Sequence, residues 1–273
     1  MTGPKPPRQP RAVGHAILRS KLARGAARID DLRTSGALKL LFPRSRSSQM
    51  LQAVFLNTAG GVTGGDRLCI EAAAGAGSHL QLTSQAAERL YRAQEGETGT
   101  LDVHLRVEQG ARLDWLPQET IMFDAARTRR HFEVDLAPDA RFLAVEPLAL
   151  GRLAMGERVK TGLLHDRWRL RQEGRLIFAD NLCLEGDIAA HCAHPALLAG
   201  HLATAALLYV GPDAEGHLAP LRDALGPLGG ASMLRENVLF ARLLAPDAFD
   251  LRRPLLPALR GLCGTDLPRT WML

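Results

Sequence analysis

Between Met50 and about Ala190, apolar and polar residues alternate one by one in run after run, and that period of two dictates strands. Leu101, Val103, Leu105 and Val107 alternate with Asp102, His104, Arg106 and Glu108, the cleanest strand in the chain. Leu80 and Leu82 repeat the pattern, as do Phe132, Val134 and Leu136, and then Trp168 and Leu170. Turn residues at Gly77, Gly110, Pro138-Asp139 and Glu173-Gly174 separate extended runs at intervals of about 30 to 35 residues. A stack of hairpins or β-coils gives such a rhythm, and so does a large sandwich.

Outside that region the texture is mixed. Ser35-Gly36 reads as a turn, Ala37 to Phe42 as a short strand, and Pro43 to Ser48 as a polar loop. Leu202 to Val210 is apolar throughout, so periodicity does not separate buried strand from helix. Pro220 to Leu225 reads as a short helix ended by Gly226-Pro227, Val238 to Leu244 as a strand, and Leu255, Leu256, Leu259 and Leu262 as one apolar helix face. Residues 1–12, with four prolines and basic side chains, are expected to be disordered. The expectation is a mainly β chain, residues 13–273 forming one large domain with about two helices.

The most distinctive stretch is Asn57-Thr58-Ala59-Gly60-Gly61-Val62-Thr63-Gly64-Gly65-Asp66. Gly60, Gly61, Gly64 and Gly65 imply a sharp backbone bend or a close approach. Gly60 and Gly65 have the spacing of a phosphate-binding loop, but Asp66-Arg67 stands where lysine and a hydroxyl are needed. The dinucleotide-binding fingerprint fails too, with Val62 where it needs glycine, and Leu68, Ile70 and Ala72 continue as a strand, whereas both nucleotide-binding loops open a helix. A nucleotide-dependent enzyme built on this loop is therefore the weaker alternative.

Composition removes other classes. Aromatic residues are 5% of the chain, too few for a single-strand stacking platform, and the net charge of +5 is accompanied by no nucleic-acid motif. Cys69, Cys183, Cys192 and Cys263 form no C-x-x-C pair. Without a secretory signal, free thiols and a cytoplasmic location are expected. No apolar run reaches the roughly 18 residues of a membrane span.

Three groups could carry chemistry. His191-Cys192-Ala193-His194 offers imidazole and thiolate ligands suited to nickel, copper or zinc, with a polar loop as the plain reading. Asp66, Glu119, Glu146 and Asp180 are acids within or beside apolar segments, where carboxylates need a basic partner or a wet cavity. Arg127-Thr128-Arg129-Arg130-His131 reads as a solvated basic run, or as a contact for an acidic partner.

Taken with three further blocks, the glycine loop resembles the signature of the urease accessory protein UreD (UreH) family. Thr83-Ser84-Gln85-Ala86-Ala87 with Tyr91-Arg92 is one block, and Leu116-Pro117-Gln118-Glu119-Thr120-Ile121-Met122-Phe123-Asp124 the next. Glu146-Pro147-Leu148-Ala149-Leu150-Gly151-Arg152 with Met155-Gly156-Glu157 is the third. The likeness spans about residues 30–245; Ala86-Ala87-Glu88 departs from a more polar family pattern. It implies a non-enzymatic maturation factor with a β-helix-like scaffold of stacked strands. Such a protein binds apo-urease and UreF, and through UreF the GTPase UreG. Nickel(II) is implied as transient cargo passing through an internal tunnel, with no tightly bound cofactor. On that reading Asp66, Ser84, Glu119 and Asp180 are candidates to line the route.

Overall fold

The computed structural model describes residues 10–43, 49–152 and 155–272. Strands β1 (Val13–Ala23) and β2 (Ala26–Gly36) form a hairpin through Arg24-Gly25, both at positive φ. β3 (Leu38–Leu41) pairs antiparallel with β4 (Met50–Asn57). The chain then runs through β5 (Arg67–Ala74), β6 (His79–Ser84), β7 (Glu88–Leu90), β8 (Gly99–Val107), β9 (Arg112–Leu116) and β10 (Thr120–Met122). β11 (Arg127–Leu136), β12 (Arg141–Leu150), β13 (Thr161–Gln172) and β14 (Arg175–Asp187) follow. After α1 (Ile188–Ala193) come β15 (Ala203–Val210), α2 (Ala214–Leu225), β16 (Gly229–Arg235), β17 (Val238–Ala245) and α3 (Ala248–Cys263).

The strands build two facing sheets. One has seven strands in the order β14-β13-β11-β8-β5-β1-β2; the other follows β16-β17-β15-β12-β9-β6-β4-β3, with β10 attached to β12 and β7 to β10. β1, β5, β8, β11 and β13 run parallel in the first sheet, and β4, β6, β9 and β12 run parallel in the second. From β4 to β13 the chain passes back and forth between the sheets, with β7 and β10 staying in the sheet of β6 and β9, so each round trip is one coil of a stack. The ends of both parallel arrays are closed by antiparallel strands: β2 and β14 in one sheet, β3 and the β15-β17-β16 group in the other.

The expected turns at Gly77, Gly110 and Pro138-Asp139 are therefore corners between sheets, not hairpins; Gly174 alone turns a hairpin, β13 to β14. Gly77 and Gly110 have φ of +67° and +62°, which glycine adopts without the steric cost of a Cβ. The corners stack through backbone bonds from Gly77 N to Gln109 O (2.9 Å) and from Ala137 N to Val107 O (2.9 Å).

Most of the scarce aromatics lie inside, Phe249 being exposed, and several form a row between the sheets. Phe55 stacks on Trp115 at 5.1 Å, and Trp115, Phe132 and Trp168 continue the row at 5.8 and 4.8 Å. Each such contact adds about 0.5–1.5 kcal/mol beyond burial. A second core lies on the far face of the larger sheet. There Leu143, Val145, Leu207 and Leu243 meet Leu221 of α2 and Leu255, Leu259 and Leu262 of α3. β15 is thus covered on both faces, which explains its unbroken apolar sequence.

Helices α2 and α3 match the two expected. The third, α1, forms where a polar loop was the plain reading, because the Asp187 side chain caps it by accepting from Ala190 N at 2.9 Å. The residues expected to form a solvated basic run, Arg127 to His131, instead lie in β11 at the middle of the seven-stranded sheet, with Arg130 buried. The expected disorder of residues 1–9 and loop at 44–48 lie outside the described residues. Arg11 is nonetheless ion-paired with Glu97, and Ala12 N donates to Asp66 (2.7 Å), so order begins before Val13. No helix among the described residues is long and apolar enough to cross a membrane.

A Cβ on Gly61 would lie 2.3 Å from Tyr91 Cε2 and 2.6 Å from Arg89 O, whereas one on Gly60 would meet open space. Gly61→Ala should therefore cost about 3 kcal/mol or more as an overpacking change. Gly60→Ala should cost only the left-handed backbone penalty of about 1–2 kcal/mol. Urea unfolding of both variants measures the difference.

Candidate functional site

The glycine loop carries the chain from β4 in one sheet to β5 in the other and docks on β7 and the adjoining Tyr91. Val62 N donates to Arg89 O and Tyr91 N to Val62 O, both at 2.7 Å, and Tyr91 Oη donates to Gly60 O. Asp66 Oδ2 accepts from Thr63 N at 2.8 Å, Asn57 Oδ1 from Ala59 N at 3.0 Å, and Asn57 O from Gly60 N at 3.1 Å. The N–H groups of Ala59, Gly60, Val62 and Thr63 are thus spent within the fold, and a strand follows. A phosphate cradle needs such donors free and a helix behind them.

The loop leads to a polar interior instead. Asn57 Nδ2 donates to Gly61 O (2.9 Å) and to both carboxyl oxygens of Glu88 (3.2 and 3.4 Å). Glu88 borders a cavity of about 30 Å³ between the sheets, whose other polar walls are Ser84, Gln118, Thr120, Arg130 and Glu146. Phe55, Leu68, Ile70 and Trp115 form its apolar side. That volume accommodates about one water. Ser84 Oγ accepts from Gln118 N at 2.8 Å and donates to Ala86 O at 2.9 Å. Gln118 Nε2 is buried with no hydrogen-bond partner, an orphan donor beside the cavity.

Arg130 organises the far wall. Its Nε donates to Asp166 Oδ1 at 2.9 Å, and its Nη2 completes a bidentate pair with Oδ2. Its Nη1 is bonded to Glu146, whose other oxygen accepts from Trp115 Nε1 at 2.7 Å. One guanidinium thus faces two buried carboxylates. Burial opposes the charge on Arg130, but Asp166 and Glu146 outweigh it and raise its pKa. Burial likewise raises Glu146, against the pull of Arg130 and with repulsion from Asp166. Burial pushes Glu88 up to about 7, with Asn57 opposing. The cavity therefore holds two carboxyl groups that give up protons reluctantly and present oxygen ligands to a cation when they do.

Of the four expected route residues, Ser84 alone lines this cavity. Asp66 is buried as a turn cap, bonded to Ala12 N and Thr63 N. Glu119 accepts from Arg252 of α3 at 2.7 Å, and Asp180 is ion-paired with Arg242 of β17. Nor do His191, Cys192 and His194 converge. Cys192 is buried in the inter-sheet core, and His194 Nδ1 accepts from Ala196 N at 3.1 Å. A six-residue helix splays its side chains, so a cluster in sequence is not one in space. The residues passed over are Glu88, Arg130 and Asp166, and phase would have found two of them. Arg130 shares a face with Phe132 and Val134, and Asp166 with Trp168 and Leu170.

Comparison with known proteins supplies the family. The family model described as UreD urease accessory protein matches residues 12–272. A urease accessory protein UreD of Roseobacter denitrificans is 50% identical over 265 residues, covering 97% of this chain and 96% of the relative. UreD proteins of Ruegeria pomeroyi and Rhizobium leguminosarum are 48% and 46% identical, over 94% and 97% of this chain and 99% and 97% of theirs.

Arg130→Met would leave Glu146 and Asp166 buried without their cation and should cost about 3–5 kcal/mol at neutral pH. The loss should shrink in acid, where Glu146, whose pKa is raised by burial, takes up its proton; chemical denaturation across pH reads it. Glu88 gives the opposite test. Its folded value of about 7 lies above the ordinary 4.5, so its protonated form contributes stability below about pH 4.5 that is lost as pH rises through 7. Glu88→Gln should match the parent in acid and exceed its stability by about 1–2 kcal/mol at alkaline pH.

Proposed function

The chain belongs to the UreD family of urease accessory proteins, and from that premise we propose that it is a non-enzymatic scaffold for urease maturation. On this reading it binds apo-urease and UreF in the cytoplasm, reaches UreG through UreF, and passes nickel(II) toward the urease active site. Nickel is cargo, held in transit. The observation that carries this reading is the inter-sheet cavity lined by the carboxyl groups of Glu88 and Glu146 beside Arg130, whose guanidinium is also paired with Asp166 behind that wall.

The chemistry suits passage better than storage. Carboxylate and hydroxyl oxygens bind a borderline divalent ion loosely, whereas a full set of imidazoles and thiolates would retain it. Conduction requires entry to be favourable and exit to stay easy. A cation entering the cavity would compete with the protons of Glu88 and Glu146, whose raised pKa values keep protons available for exchange. Ser84 and the free amide N–H of Gln118 offer polar contacts along the same wall. Asp66, Glu119 and Asp180 take supporting roles, fixing the loop, α3 and β17 around that interior.

Co-expression with UreF, UreG and apo-urease, followed by pull-down and assay of urease at limiting nickel, tests the reading. Glu146→Gln keeps the shape of the side chain and removes the surplus charge. It should preserve both complexes and lower activation about tenfold, the equivalent of about 1.4 kcal/mol, with recovery at excess nickel. Failure of the parent protein to co-purify with either partner would sink the scaffold reading. Full activation by Glu146→Gln at limiting nickel would remove the cavity from the route.

A further inference from the structure

The strands that wall the cavity have a second face. Leu68 and Ile70 of β5 and Leu101 and Val103 of β8 point inward, so Cys69, Glu71, Asp102 and His104 fall on the outer side of the seven-stranded sheet. Parallel pairing then aligns residues across strands: His15 of β1 lies beside Cys69 and Ile17 beside Glu71, while Asp102 flanks Cys69 from β8. Among the described residues, His15, Cys69 and Glu71 are the one group of three or more potential metal ligands that converge, their ligand atoms all within 4.8 Å of one another.

We propose that His15, Cys69 and Glu71 form a solvent-facing site for a borderline divalent transition metal of the nickel, cobalt and zinc class. The donor set is one nitrogen, one sulfur and one oxygen. Thiolate and imidazole favour such ions, whereas calcium and magnesium take oxygen ligands. The site is organised before any ion arrives: His15 Nε2 and Glu71 Oε1 are 2.7 Å apart, and both ligating strands are held in register within a sheet. Cys69 and Glu71 are two residues apart on one strand and so share its outer face. Binding places the ion between the three side chains and releases the thiol proton to solvent; remaining positions go to water or to a ligand from outside. Asp102, bonded to His131 at 2.8 Å, adds negative charge beside the thiol. The inference stands whether or not the cavity carries nickel, because the two lie on opposite faces of β5.

Titration of the purified full chain with cobalt(II), followed by absorbance, tests it. Thiolate-to-cobalt charge-transfer absorption should grow to saturation at one equivalent and be displaced by nickel(II) or zinc(II). Cys69→Ser should abolish it, while Cys183→Ser, altering the exposed cysteine on β14, should leave it intact. His15→Ala should weaken cobalt affinity at least about tenfold, the lower end of what even an outer-shell change costs a metal site. Circular dichroism establishes that each variant is folded. Absence of the absorption in the parent chain, or its persistence in folded Cys69→Ser, overturns the proposal.

Discussion

Arg130 leaves β11 in one sheet and ends against Glu146 on β12 in the other, while Asp166 on the neighbouring β13 takes the rest of the guanidinium. This charged link crosses the space between the sheets, and the polar interior depends on it. Neither acid would remain ionised there alone, since a lone buried carboxylate neutralises itself by holding a proton. With the guanidinium present, two carboxylates share one positive charge, and burial, aided by repulsion from Asp166, still holds the pKa of Glu146 above its ordinary value. Hydrophobic replacements of such a cluster are often neutral or stabilising, so stability alone does not account for it.

The strands were legible because alternation is local, and the interior was half legible for the same reason. Glu146 could be read as an acid awaiting a basic partner. That partner was hidden inside Arg127 to His131, where basic residues dominate and obscure the phase. Thr128, Arg130, Phe132 and Val134 in fact share the buried face, while Arg129 is exposed. Composition suggested a solvated run; the period of two assigns Arg130 to the core. Ser84 was found by resemblance, yet it is also in phase with Leu80 and Leu82.

Long-range pairing was not legible. A turn at Gly77 or Gly110 looks alike whether the chain folds back beside itself or crosses to the facing sheet, since glycine at positive φ serves both. The choice rests on contacts with earlier coils, which no local window contains. The apolar run at Leu202 to Val210 was ambiguous for a related reason: α3, two strands further along the chain, covers its second face. Acids read from their apolar neighbours alone went to separate destinations, with Asp66 capping a turn and Glu119 and Asp180 bound to arginines of α3 and β17.

The antiparallel strands that close both sheets have a geometric consequence. A parallel stack left open would offer unpaired edges to another copy of itself. Capped by β2 and β14 on one side, and by β3 and the β15-β17-β16 group on the other, it has a fixed number of layers. Each layer adds about 4.8 Å along the stacking direction. The distance between the two ends of the stack is thereby counted in whole coils. A relative carrying one more coil would hold the same two ends one strand spacing further apart, with every contact inside each layer unchanged.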